Sequence, residues 1–247
     1  MMAKVRYAIL ACLALPLWAG QTYVASSSAT LIRISADGGT VSTIANNVVF
    51  RDLAQEPTGN YVGAAVNKIQ RVTPSGTVTT VAAAPAGSQF ISLAVDGSGN
   101  IIVADNQLHV LWKITPDGLS VTQIGPYPVL TNNQLEDVYV RVDSSGNYIL
   151  ANDNASAIKL FRITPQGAAT PIPLSGNYSP TQLAGLALDS AGNFYIADSG
   201  PGRILKVASN GIFSTIASGS NFALPLEGAA PAPAAALLCC KVDRNAL

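Results

Sequence analysis

One thirteen-residue phrase recurs along the chain, and a closed architecture of repeated units is what such recurrence allows. Full copies read Leu93-Ala-Val-Asp-Gly-Ser-Gly-Asn-Ile-Ile-Val-Ala-Asp105, Val140-Arg-Val-Asp-Ser-Ser-Gly-Asn-Tyr-Ile-Leu-Ala-Asn152 and Leu186-Ala-Leu-Asp-Ser-Ala-Gly-Asn-Phe-Tyr-Ile-Ala-Asp198, with a degenerate copy from Leu53 to Ala65. A further copy is divided between the two ends of the chain. Cys240-Lys-Val-Asp-Arg-Asn-Ala-Leu247 matches its first half, and Gly20-Gln-Thr-Tyr-Val-Ala-Ser26 matches its second. A fixed period sets the fold before any other argument, because each unit buries its apolar faces only against its neighbours.

Within a unit the apolar runs are short and bounded by turn residues. The last full unit carries them at Leu183–Leu188, Phe194–Ala197, Arg203–Val207 and Ile212–Ala217. Asp189-Ser-Ala-Gly-Asn193 separates the first two. The Asp side chain can accept turn amides there, while Gly and Asn tolerate a left-handed backbone. A second turn follows the third run, as in Thr73-Pro-Ser-Gly76, Thr115-Pro-Asp-Gly118 and Thr164-Pro-Gln-Gly167, where proline pre-sets the bend and glycine takes its corner. The turn glycines at 38, 76, 118, 167 and 211 step by 38 to 49 residues, the length of a four-stranded blade. No amphipathic helical period competes with this pattern.

The reading is an all-β propeller of four-stranded blades, five of them, occupying residues 20–247 as a single domain. The run Leu238–Val242 is expected to pair with Thr22–Ala25 and so close the ring across its two ends. A Pro- and Ala-rich stretch at about 226–236 reads as a surface loop, and leaves six blades as the alternative.

Residues 1–19 read as a signal peptide. Lys4 and Arg6 precede the apolar run Ala8–Trp18, which is too short to anchor a chain in a bilayer, with cleavage near Ala19 or Gly20. The expectation is a secreted or periplasmic protein with no stable membrane insertion after cleavage. Losing Lys4 and Arg6 leaves 12 basic residues against 14 acidic ones, so no basic field exists to hold nucleic acid. Cys12 leaves with the signal, and the adjacent Cys239 and Cys240 are too close in sequence for an ordinary disulfide.

The motif Leu-Ala-(Val/Leu)-Asp-x-x-Gly-Asn, followed by Arg203-Ile-Leu-Lys-Val207 and Phe213-Ser-Thr-Ile-Ala-Ser-Gly219, resembles the NHL-repeat propellers. Its blades are also similar to those of gluconolactonase-like and virginiamycin B lyase-like propellers. The resemblance implies an exported binding or scaffold module for a protein, peptide or carbohydrate, with no cofactor. The alternative it implies is a Ca²⁺-type lactonase or lyase. Among mature residues only His109 is a histidine, so a histidine-based metal site or a lyase with several histidines is hard to assemble. In a propeller, the start of each inner strand and the end of each second strand open on one face. That places Arg51, Asp52, Gln89, Glu136, Asp137 and Gln182 at the channel mouth as candidate ligand-binding residues. Under the enzyme alternative, Glu136, Asp137, Asp153 and Asp198 would supply oxygen ligands to a divalent ion. Competing with that role, Asp105, Asp153 and Asp198 fit loop capping, with Asp198 and Arg203 able to pair across one loop. Asp96, Asp143 and Asp189 read as turn residues on the opposite face.

Overall fold

The computed structural model describes residues 11–14, 22–27, 29–35, 40–128, 137–153, 158–175, 183–198, 201–218, 229–230 and 238–239. Four blades are each built from four consecutive strands. They are β5 (Asp52–Gln55), β6 (Tyr61–Ala65), β7 (Lys68–Val72) and β8 (Val78–Ala83); β9 (Phe90–Val95), β10 (Ile101–Asp105), β11 (Val110–Ile114) and β12 (Val121–Pro126); β13 (Val138–Val142), β14 (Tyr148–Asp153), β15 (Ile158–Ile163) and β16 (Ala169–Ile172); and β17 (Leu183–Leu188), β18 (Phe194–Asp198), β19 (Arg203–Val207) and β20 (Phe213–Ser218). Every neighbouring pair within a blade is antiparallel.

One further four-stranded sheet departs from the expected plan. Strands β2 (Thr22–Ser27), β3 (Thr30–Ser35) and β4 (Val41–Asn46) follow the repeat, but the inner position beside β2 is held by β1 (Ala11–Ala14). The expected closing strand is elsewhere: β22 (Leu238–Cys239) pairs with β21 (Ala229–Ala230), a short strand within the stretch read as a loop. Four blades, rather than five or six, are therefore complete from the repeat alone. The physical reason lies in β1, whose sequence Ala11-Cys-Leu-Ala14 is apolar. Its apolar run meets the same need for an apolar inner strand that the C-terminal segment was expected to meet. Cys240, Lys241 and Val242 lie outside the described residues. The inner strands adjoin in the order β1, β5, β9, β13 and β17, and β21 lies against both β17 and β1.

The core is a series of seams between facing sheets. Val103 and Ile101 of β10 pack with Val62 and Ile69 of the preceding blade, whereas Ile102 and Ala104 pack with Val140 and Leu150 of the following one. A strand buried on both faces cannot alternate polar and apolar residues, so Ile101–Asp105 is buried throughout. Equivalent seams join β2–β4 to β5–β8 through Val24, Leu31, Phe50 and Leu53, and β13–β16 to β17–β20 through Ile149, Leu160, Leu186 and Phe194. The outer strands are richer in Thr and Ser and carry exposed positions, as edge strands must.

The turns follow their sequence logic. Asp96 Oδ1 accepts the amides of Ser98 and Asn100, both at 2.9 Å, and Asp143 and Asp189 repeat the arrangement. The degenerate copy has Glu56 at this position, which pairs with Arg71 through Nε at 2.7 Å. Its Gly63, standing where Val103 stands in the next blade, has a structural cause. The buried ring of Phe50 fills the volume a side chain would need.

Candidate functional site

A buried polar network joins the inner strands of three blades. Asp52, 6% exposed, begins β5. Its Oδ1 accepts the Leu53 amide at 2.9 Å, and its Oδ2 accepts Ser92 Oγ at 2.5 Å and the Leu93 amide at 3.1 Å. Arg141 of β13 reaches past β9 to the same carboxylate, with Nη1 at 2.9 Å from Oδ2 and Nη2 at 3.5 Å from Oδ1. Ser92 Oγ also accepts the Val140 amide at 3.1 Å, so one hydroxyl links all three strands. A buried carboxylate is tolerable only when its charge is matched by donors, and here four residues supply them.

The network is where the structure places Asp52, a candidate ligand-binding residue of the channel mouth, with its carboxylate bonded to Leu53, Ser92, Leu93 and Arg141. Its partners were missed, although each left a signal. Ser92 occupies the repeat position of Asp52, and Arg141 occupies the position that holds Ala54, Ala94 and Ala187 in the other unbroken copies and Lys241 in the divided one. A long cation replacing a small residue in an otherwise faithful repeat marks a special position.

On the face where inner strands begin, the remaining carboxylates are largely committed. Asp105 is fully buried. Its Oδ1 accepts the amides of Gln89, Gln107 and Leu108 at 3.0 Å each, and its Oδ2 accepts Trp112 Nε1 at 2.9 Å. Burial pushes its pKa up, but the bonds from Gln89, Trp112 and Leu108 oppose that, and it lies below the ordinary value. Asp198 pairs with Arg203 Nε at 3.1 Å across the loop they bracket. Asp153 accepts the Leu183 amide, and Asp153 in turn donates its own amide to the Asp137 carbonyl at 3.2 Å. Gln89 contributes through its backbone, its carbonyl accepting the Asn106 amide at 2.9 Å. Arg51 donates its amide to the Ala64 carbonyl at 2.8 Å. Glu136 and Gln182 lie outside the described residues.

Among the described residues, no three His, Cys, Asp or Glu side chains converge as a metal-binding group. What this face does hold unsatisfied is amide oxygen. Asn106 and Asn152 are buried, yet Oδ1 of each has no hydrogen-bond partner. His109 sits on the same face, in the β10–β11 turn, at φ 54°. Its ring stands edge-on to Tyr127 with centroids 6.0 Å apart, and its Nδ1 is unpartnered. No described carboxylate or hydroxyl orients it as a base would require. Three sizeable apolar side chains are exposed on the connections at this face: Val49, Val66 and Leu108 at 54%, 44% and 42%.

No protein-family model matches the sequence, and no curated protein matches it. Solved structures do match the fold. A Bacteroides thetaiotaomicron protein of unknown function aligns at TM-score 0.74 and 16% identity, covering 97% of this chain and 68% of its own. A chain of the nidogen/laminin complex aligns at 0.70 and 14%, covering 85% and 81%. A gluconolactonase of Xanthomonas campestris aligns at 0.69 and 14%, covering 92% and 81%. Likeness at these identities shows the fold, a β-propeller, and function resides in sites rather than folds. Among the described residues no helix is long and apolar enough to cross a membrane.

Proposed function

We propose that this chain is an exported, NHL-type propeller that binds a protein, peptide or carbohydrate at the polar face where its inner strands begin. The observation carrying this reading is the commitment of Asp52, Asp105, Asp153 and Asp198 to internal bonds. Carboxylates so engaged fix the loops in place instead of serving as free acids or bases. The face then offers a partner a rigid polar rim with Val49, Val66 and Leu108 exposed among it, a composition suited to contact rather than chemistry. The nidogen/laminin neighbour gives the same fold a protein-bound context. In the exported chain, residues 1–19 are removed and β1 leaves with them. Leu238–Val242 then takes the vacated position beside β2 and completes a five-bladed ring.

The test is a screen of the mature chain against immobilised peptides and glycans, followed by joint replacement of Glu136 and Asp137. Loss of the captured ligand supports the rim as the site. Unchanged binding would remove those two residues from it.

A second reading is a Ca²⁺-dependent lactonase or lyase, favoured by the orphaned buried oxygens of Asn106 and Asn152 and by the gluconolactonase neighbour. Hard cations take such amide oxygens, but they also need carboxylates, and Asp153 and Asp198 are already bonded. Chelator-treated protein that gains thermal stability on adding Ca²⁺ and hydrolyses glucono-lactone would establish it. No gain and no turnover would end it.

A further inference from the structure

Asp52 meets Arg141 along one edge of the guanidinium, the edge formed by Nη1 and Nη2. Nη1 has two hydrogens and four acceptors around it: Asp52 Oδ2 at 2.9 Å, the carbonyls of Val140 at 2.7 Å and Leu93 at 3.3 Å, and Ser92 Oγ at 3.4 Å. The other edge, Nε–H with the second hydrogen of Nη2, makes no hydrogen bond among the described residues. The Arg141 side chain is 21% exposed. At the same register the inner strands on either side, β9 and β17, carry Ala94 and Ala187, which leaves room beside it.

The hydrogen-bonding capacity left on Arg141 suits a carboxylate. Asp52 spreads its negative charge over the Leu53 and Leu93 amides and the Ser92 hydroxyl as well as over Arg141. The pair with Asp52 is neutral overall, so what the guanidinium has left to offer is hydrogen-bond donors. Its free edge presents two parallel N–H bonds at the spacing of a carboxylate, the geometry for which arginine is unmatched.

The geometry points to a ligand subsite: the Nε/Nη2 edge of Arg141 receives a carboxylate that enters the central channel. The proposal deepens the binding reading above and rests on it, since it names the chemical group that the ligand inserts. Asp52 and Ser92 hold the guanidinium in place and do not touch the ligand.

The test follows the Arg141 Nε–H resonance of the mature chain by NMR while acetate or D-gluconate is titrated, with acetamide and D-glucose as neutral counterparts. A saturable shift with the carboxylates and none with the neutral molecules is expected. Arg141→Lys keeps the charge and loses the fork, and should weaken D-gluconate binding by about tenfold or more. Asp52→Asn keeps the fork and removes the competing charge, and should tighten it. A merely structural Arg141 gives the opposite result: no shift confined to carboxylates, and no gain from Asp52→Asn. Either of those outcomes overturns the subsite. If carboxylates fail here while the screened ligand still depends on Glu136 and Asp137, the subsite falls and the binding reading stands. If carboxylates bind and the rim substitutions are silent, the subsite stands and the rim reading falls.

Discussion

Arg141 and Asp52 lie two blades apart, yet their side chains meet at 2.9 Å across the channel, with Ser92 of the blade between them bonded to the same carboxylate oxygen. The contact ties together strands that are 89 residues apart in the chain. It holds in one place what the seams between adjacent blades hold only pairwise.

Arg141→Ala should therefore destabilise the protein by about 3–5 kcal/mol, because it strands a buried carboxylate. Removing both charges as Asp52→Ala with Arg141→Ala should cost far less than the two single changes added together. Urea denaturation of the four proteins in a double-mutant cycle measures this. Additive losses would show that the pair is not coupled.

The turn glycines separate two costs. Gly118 has φ 75°, and a Cβ there would overlap the carbonyl of Val81 on the outer strand of the preceding blade. Gly76, Gly167 and Gly211 meet Ile44, Ile124 and Pro173 in the same way. Gly146 has φ 80° but nothing within 4 Å. Gly146→Ala should cost about 1–2 kcal/mol for the left-handed backbone alone. Gly118→Ala should cost clearly more, since it also pushes two blades apart. Equal midpoints in denaturant would refute the inter-blade role.

Acid should unfold the protein through its structural aspartates. Asp105 and Asp189 are both held below the ordinary aspartate pKa, each by hydrogen bonds that outweigh burial. A depressed native pKa contributes stability above the unfolded value, and that contribution is lost as pH falls through the native one. Stability should thus be flat near neutrality and decline from about pH 4 downward. Asp105→Asn should flatten part of that decline, which thermal melts across the acid range would show.

Deleting Cys239–Leu247 from the mature chain should lower its melting temperature much more than shortening the Pro/Ala stretch does. In the chain that keeps residues 1–19, the same deletion should matter less, because β1 already fills the position beside β2. Equal effects in the two forms would contradict the exchange of one strand for the other.

The sequence by itself was enough for the blade. Asp-x-x-Gly-Asn and Thr-Pro-x-Gly are local devices whose hydrogen bonds and φ values depend on residues within a few positions, so the turn roles of Asp96, Asp143 and Asp189 follow from local sequence. The pairing of Asp198 with Arg203 was legible for the same reason. Tertiary structure decided everything that depends on which distant strands become neighbours. Two apolar segments could fill the position beside β2, and local pattern does not rank them. The role of Asp52 was likewise hidden, because its partners come from the next blade and the one after. Repetition specifies a unit through short-range geometry, whereas the channel is made where units meet, and there Arg141, standing where three copies have alanine, meets Asp52 of another blade.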